Sequence, residues 1–320
     1  MNEKHERIPI FFAIDDGYAP FLSVALASII QNASREYMYK ITVLHQNLSK
    51  TNQERLAALG AEHVEIQFVP MENRLEGITD RIGNRLRADF FTLTIFFRLF
   101  IPVMFPEYDK AIYLDSDVVV PGDISELYRT ELGDHLLAAA ADHSVAGVPP
   151  FVDYIENGVG VKKDQYINSG VLLMNLKKMR ESRLEHRVLE LMDTYHFDCI
   201  APDQDYLNVL CNDRIVYLPP FWDAMPAEAA EPIENPKLIH YNLFAKPWCY
   251  DHVQYESYFW KYARHSGYMK EIMNCKELYG EKERQSDREC LELMLERAKA
   301  IAAAELNFKS VFNSGREKRL

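Results

Sequence analysis

The sequence is poor in the features that mark several common protein classes. Its five cysteines, Cys199, Cys211, Cys249, Cys275 and Cys290, are odd in number, scattered and without a CxxC spacing. Neither a disulfide framework nor a zinc knuckle is suggested, and a reducing, cytoplasmic setting fits best. Basic charge is in deficit: Lys and Arg total 36 against 48 Asp and Glu, a formal net charge of −12. A surface built mainly to neutralise nucleic-acid phosphates would carry the opposite balance, so no nucleic-acid partner is expected. The most apolar stretch, Phe90 to Phe105, is interrupted by Thr92, Thr94 and Arg98 and falls short of the ~18 apolar residues of a membrane span. It reads as a buried helix. Met1 to Phe12 passes from charge straight into strand-like residues, without the apolar centre of an export signal. Internal repeats, low-complexity tracts, Walker-type loops and a Gly-x-Ser-x-Gly elbow are also missing, which argues against NTPases and hydrolases.

What is present is a chain of 320 residues, 48% hydrophobic and 12% aromatic, enough for a sizeable core. Ile8–Ile14 is a short apolar run ending in Asp15-Asp16-Gly17, and Tyr18, Phe21, Leu22, Ala25, Leu26 and Ile29 then recur at helical spacing. Lys40–Leu44 reads as a strand, followed by a helix opened by Thr51 with Glu54 three residues on, and then a strand at Val64–Val69. Phe91–Phe100 is predicted as a buried helix, and Lys110–Leu114 as a strand that delivers Asp115-Ser116-Asp117. Further strands are expected at Leu136–Ala141 and Val171–Asn175, with an amphipathic helix at Arg183–Tyr195. Alternation of this kind predicts an α/β fold with a mostly parallel sheet covered on both faces. Ligands in such sheets bind at the carboxyl ends of strands, where the Asp15 and Asp115 turns both fall if their strands are parallel. Pro219, Pro220, Pro226, Pro232 and Pro236 crowd one segment, which suits a shaped binding loop. From about residue 268 the composition changes. Dense mixed charge precedes a helical stripe of Leu291, Met294, Leu295, Ala298, Ile301 and Ala302. We read a main domain over residues 1–267 and a small C-terminal helical appendage over 268–320, with a short basic tail.

The candidate chemistry begins at Asp115 and Asp117. Two carboxylates entering an apolar turn raise each other's pKa and suffer desolvation unless a cation compensates. Oxygen ligands suit Mg²⁺ or Mn²⁺, and an added imidazole shifts preference towards Mn²⁺. Taken alone, D-x-D is more often an ordinary strand-to-turn transition. His240, after the apolar run Lys237–Ile239, is in isolation more often structural than ligating. Lys246, six residues later, would place a cation beside a diphosphate.

Together these ordered motifs, from Ile8 to Trp248, resemble glycosyltransferase family 8, which includes bacterial lipopolysaccharide galactosyltransferases and glucosyltransferases and the glycogenins. The resemblance implies a GT-A fold, a UDP-sugar donor, Mn²⁺ (Mg²⁺ as the alternative) and retention of anomeric configuration. It implies that Asp15 meets the uracil edge, Tyr18 stacks on uracil and Arg98 contacts the donor sugar. Asp115, Asp117 and His240 correspond to the metal ligands, with Ser116 between the two carboxylates in the substrate-binding motif. Asn168 in Asn168-Ser169-Gly170, with Asp203-Gln204, corresponds to positions lining the donor sugar. Asp142 corresponds to a position near the transferred sugar and acceptor, and Lys246 to the diphosphate contact. Asp142, Asn168, Asp203 and Gln204 are the candidate catalytic residues. The chain departs from the family pattern at Leu243, where glycine is common three residues after the histidine, and leucine lacks glycine's freedom at positive φ. A second difference is Gly17, where some members carry Asn. The expected activity is hexosyl transfer from UDP-glucose or UDP-galactose to a glycan or glycolipid acceptor, with the basic tail a candidate contact to an anionic membrane. The competing classes are a nucleotidyltransferase, disfavoured by the lack of a Gly-rich loop and lysine near Asp15, and a non-catalytic sugar-nucleotide-binding protein.

Overall fold

A computed structural model describes residues 6–71, 93–227 and 231–320. Its main strands are β1 (Arg7–Asp15), β2 (Met38–Gln46), β3 (Val64–Pro70), β4 (Ala111–Leu114), β6 (Leu137–Ala139), β7 (Val171–Met174) and β8 (Ile215–Tyr217). They form one sheet in the order β3-β2-β1-β4-β7-β6-β8. The first four pair in parallel, β6 and β8 are parallel, and β7 runs antiparallel to both of its neighbours. This is the mixed, mostly parallel α/β sheet that the alternation predicts. A separate antiparallel pair joins β5 (Val118–Val119) to β9 (Ile239–His240).

Why the strands read as continuous apolar runs follows from their burial. On β1, Ile8, Ile10, Phe12 and Ile14 enter one core layer while Phe11 enters the other. Ile112 and Leu114 of β4 face the first layer, Ala111 and Tyr113 the second. Helix Ala19–Asn32 covers the first face; helices Phe97–Met104 and Pro202–Cys211 cover the second. A sheet covered on both sides needs apolar residues at successive positions, not alternate ones. Because β1 and β4 are parallel, with Ile10 opposite Ile112, the Asp15 and Asp115 turns leave the sheet at the same edge.

Two expectations need correction. The helix after β2 spans Lys50–Ala57, and its cap is Ser49, whose hydroxyl accepts from Asn52 N at 3.3 Å. Ser49 keeps extended backbone and so satisfies an orphan N–H, whereas Thr51 already lies inside the first turn. The buried helix also lies further along than Phe91–Phe100: a 3-10 turn, Leu93–Phe96, leads into Phe97–Met104. It runs through Pro102, a cost offset by the burial of Phe97, Leu99, Phe100 and Ile101. Phe90, Phe91 and Thr92 lie outside the described residues.

Past Tyr268 come helices Met269–Leu278, Glu281–Ala303 and Phe308–Asn313. Tyr268 and Ile272 enter the first core layer; Ala298, Ile301, Phe308 and Val311 enter the second. The long helix lies against Pro149–Asp153 and the wide turn Tyr154–Val159. Gly158 allows that approach, since a Cβ there would stand 3.2 Å from Ile301 Cγ2. The tail folds back: Leu320 N donates to Leu210 O at 2.9 Å, and Glu317 pairs with Arg187 at 2.8 Å. Arg316 and Lys318 stay exposed.

Ile301 is 4% exposed, so Ile301→Ala should lower stability by roughly 2–5 kcal/mol. Urea unfolding followed by helical signal should then show a single transition at lower denaturant. An early, separate loss of helix would mean that the C-terminal helices fold independently.

Candidate active site

β4 ends at Leu114, and its antiparallel partner holds the following residue: Asp115 N donates to Gly170 O at 2.7 Å. Val118 then pairs with His240, and Tyr241 N donates to Asp117 O at 2.9 Å. Backbone register therefore carries His240 to the acidic turn. One side-chain atom from each of Asp115, Asp117 and His240 lies within 4.8 Å of the others. His240 Nε2 is 3.3 Å from Asp117 Oδ1 and 3.9 Å from Asp115 Oδ2. Gly170 leaves room for the cluster, because a Cβ there would stand 2.3 Å from His240 Cε1 and 2.6 Å from Asp115 Oδ2.

Each ligand-type side chain is held from behind. His240 Nδ1 lies 3.2 Å from Asp223 Oδ1, and Asp223 is fully buried. Such a carboxylate fixes the ring's orientation and aims Nε2 at the two aspartates. The other Asp223 oxygen has no hydrogen-bond partner among the described residues, and burial pushes the carboxyl up to about 6. Arg98, 4% exposed, donates to Asp115 Oδ1 at 2.8 Å, pairs with Asp203 Oδ2 at 3.1 Å and reaches Ser169 O at 2.5 Å. Tyr113 also donates to Asp115 Oδ1, at 2.9 Å. Burial alone would raise the Asp117 carboxyl, but Lys246, 2.5 Å away, and His240 hold it well below the usual carboxylate range. Burial would likewise lower His240, yet Asp117 and Asp223 hold it well above its ordinary value.

The neighbouring polar groups form one network. Asp142 Oδ2 accepts from Asn168 Nδ2 and Gln204 Nε2, each at 3.0 Å, while Oδ1 accepts from Ser144 N at 3.1 Å and Ser144 Oγ at 2.5 Å. Gln204 Oε1 accepts from Ser169 N at 2.9 Å, and Ser169 Oγ donates to Asp203 Oδ2 at 2.9 Å. Burial raises the Asp203 carboxyl despite Arg98. Deeper, Asp205 accepts from the hydroxyls of Tyr154 and Tyr166, and burial pushes it up to about 7.

The structure thus gathers Arg98, Asp115, Asp117, Asp142, Asn168, Asp203, Gln204 and His240 around one cavity. Lys246 joins them through Asp117. Asp15, Tyr18 and Ser116 are not part of that lining. Asp15 Oδ1 accepts from Tyr18 N at 3.2 Å, and Ser116 is buried within the turn. Tyr18 is not a core residue: it is 37% exposed, with its ring edge-on to Phe21, which stacks on Trp248 at 4.2 Å. Lys246 and Tyr18 are electrostatic neighbours. Sequence reasoning did not single out Asp223, Ser144 or Asn242, which donates to Ser144 Oγ at 2.8 Å. The only signal for Asp223 was an acidic residue between Phe221-Trp222 and Ala224 in the proline-rich segment.

Two carboxylates and an imidazole, with a glycine keeping their centre open and a carboxylate behind the imidazole, fit a hard divalent cation such as Mn²⁺ or Mg²⁺. The comparisons with known proteins agree with this geometry. The profile of "Glycosyl transferase family 8" matches residues 9–252, and the chain belongs to that family. A lipopolysaccharide 1,2-glucosyltransferase of Escherichia coli K12 is 26% identical over 76% of this chain and 73% of its own. General stress protein A of Bacillus subtilis is 24% identical over 77% of this chain and 88% of its own. A putative glycosyltransferase of Haemophilus influenzae is 26% identical, and the match spans 62% of that longer protein. Among solved structures, galactosyltransferase LgtC in complex with donor and acceptor sugar analogs superposes with a TM-score of 0.62 at 27% identity, over 81% of this chain and 96% of that one. The bifunctional glycosyltransferase WbbM gives 0.71 at 25% identity, over 86% of this chain and 52% of that one. The shared architecture is the GT-A glycosyltransferase fold, as expected. Among the described residues, no helix is long and apolar enough to cross a membrane.

Two outcomes follow. Gly170→Ala should weaken Mn²⁺ binding by about tenfold or more, as disturbed support of metal ligands does, measured by calorimetry. Asp205 has a native pKa near 7 against about 3.9 when unfolded. The native state therefore binds the extra proton between these values, and this group's contribution to stability falls as pH rises from about 4 to about 7. Asp205→Asn should flatten the change in unfolding midpoint between pH 5 and pH 8; an unchanged slope would reject the assignment. Asp203 and Asp223 tilt stability in the same sense, so some slope should persist.

Proposed function

We propose that this protein is a retaining hexosyltransferase that moves glucose or galactose from a UDP-sugar to a hydroxyl of a glycan or glycolipid acceptor. The observation that carries the reading is the convergence of Asp115, Asp117 and Asp223-supported His240 at the carboxyl edge of the sheet. Those three side chains would hold Mn²⁺, or Mg²⁺. When bound, the cation would supply positive charge to the donor diphosphate as it becomes a leaving group. Lys246 adds a second positive charge beside Asp117, stabilising the negative charge that grows on the departing phosphate. Arg98 fixes Asp115 and Asp203 together, so the metal end and the sugar end of the cavity are set by one guanidinium. Asp15 and Tyr18, at the mouth of β1, are the candidate uracil contacts.

In this reading the C1–phosphate bond breaks as the acceptor hydroxyl forms its bond to C1 on the same face, and the hydroxyl proton passes to the departing phosphate oxygen. Asp142, Asn168 and Gln204 orient the sugars. A double displacement through Gln204 or Asp203 is less well supported. The Gln204 amide is neutral and engaged at both ends, and Asp203 is held by Arg98 and Ser169. Any membrane contact by the tail would use Arg316 and Lys318, the tail cations that the fold leaves exposed.

The test is UDP release from UDP-glucose and from UDP-galactose, each with Mn²⁺ and with EDTA. Metal-dependent release from one donor is expected, and Asp117→Ala should reduce it by at least about a hundredfold, the scale of a lost transition-state charge contact. No release from either donor, with no calorimetric binding of UDP and Mn²⁺, would point to a site that no longer turns over.

A further inference from the structure

The cavity that contains Asp115, Asp117 and His240 has a second wall that the transfer chemistry does not use. Val145, Phe151, Ile155, Ile200, Leu243 and Met294 line it with apolar side chains. Phe151, Ile155 and Ile200 are rooted in the second core layer, against which Val145 and Met294 pack. The polar lining residues are instead tied to one another by the hydrogen bonds around Asp142, Ser169 and Arg98. A ligand that fills this cavity therefore meets a polar region and an apolar one.

Leu243 and Met294 are not explained by folding alone. Leu243 sits at φ +50 and is 40% exposed. The left-handed region disfavours a bulky side chain, and a leucine left 40% exposed there gains only part of its burial in return. Met294 belongs to helix Glu281–Ala303, beyond the residues 9–252 that match the family. Its stripe runs Ile301, Ala298, Met294, Leu291, steps of three and four that share one helix face. Burial declines along it: Ile301 is 4% exposed and Ala298 fully buried, Met294 is half-buried, and Leu291 is 37% exposed. The apolar stripe thus leaves the core, lines the cavity at Met294 and emerges into solvent.

We infer that Leu243 and Met294 form an apolar subsite for the acceptor, and that the acceptor is a hexoside with an apolar aglycone next to the reacting sugar. The inference rests on the hexosyltransferase reading. The acceptor sugar has to reach the region of Asp142 and Gln204, and the aglycone then lies along the wall that Leu243 and Met294 supply. A free sugar or a purely polar glycan would leave that wall in water.

The experiment compares methyl and octyl β-glycosides of glucose and galactose as acceptors in the Mn²⁺-dependent UDP-release assay, below micelle-forming concentration. Burying two methylenes is worth about tenfold, so for the accepted sugar the octyl glycoside should have a KM lower by about tenfold or more. Met294→Glu should bring the two KM values to within about twofold, while Met294→Leu keeps the preference. Equal KM values in the wild type, or a preference that survives Met294→Glu, would overturn the inference. So would donor turnover that responds to none of the hexosides, which leaves the hexosyltransferase reading standing. Absence of any metal-dependent donor turnover defeats that reading, and the subsite with it.

Discussion

The antiparallel pairing of Val118 with His240 is the constraint on which the site depends. It is two residues long and separate from the main sheet, yet it joins the turn after β4 to a segment near the end of the family-matched region. Tyr241 N donating to Asp117 O locks the register. A slip of one residue would turn His240 to the opposite face, because strand side chains alternate. Asp223 then fixes the ring, and Gly170 keeps the space in front of it clear. The cluster follows from backbone geometry, with side-chain hydrogen bonds refining it.

Charge compensation is the second constraint. Asp115, Asp117 and Asp203 crowd one end of the cavity, and Arg98 and Lys246 are the cations placed among them. A buried ion pair adds little net stability, but removing one partner leaves an uncompensated charge and costs far more. Arg98 therefore cannot be read as a donor-sugar contact alone: its three nitrogens bind Asp115, Asp203 and the Ser169 backbone at once. Those bonds align the end of β4, the start of β7 and the first turn of helix Pro202–Cys211. The same guanidinium therefore joins three elements of the fold and positions Asp115 and Asp203 at the candidate site.

The sheet was legible in the sequence because buried strands declare themselves as apolar runs, and because acidic turns after two of them, at Asp15 and Asp115, marked a common edge. Asp115, Asp117, His240 and Lys246 were legible only as an ordered set, each being commonplace by itself. Helix starts were less legible. Ser49 and Thr51 both suit a cap, and backbone geometry, absent from the sequence, decides between them. Asp223 was hidden for a related reason. Its role depends on lying beside His240 in space, brought there by the Ala224 to Ile239 bridge, and nothing in its own neighbourhood hints at that partner. The composition change near residue 268 was visible, but not where the helices beyond it would pack. Ala298, Ile301, Phe308 and Val311 enter the core layer that Ala111 and Tyr113 of β4 and Leu172 and Met174 of β7 face.

That packing divides the cavity's construction into two parts. Charged and amide groups come from the turns at strand ends and from the starts of helices Phe97–Met104 and Pro202–Cys211, all within residues 9–252. Strand ends suit them, since the sheet fixes their backbones and tolerates little movement. The apolar wall comes partly from segments outside that constraint: Leu243 on a turn with left-handed backbone, and Met294 on a helix beyond the matched region. A helix anchored one turn away, at Ala298 and Ile301, can change the residue at 294 without disturbing strand register. On the inferred reading, Met294 would shape the acceptor end from outside the segment that carries the bond-making residues, whereas Leu243 would do so from within it, between His240 and Lys246.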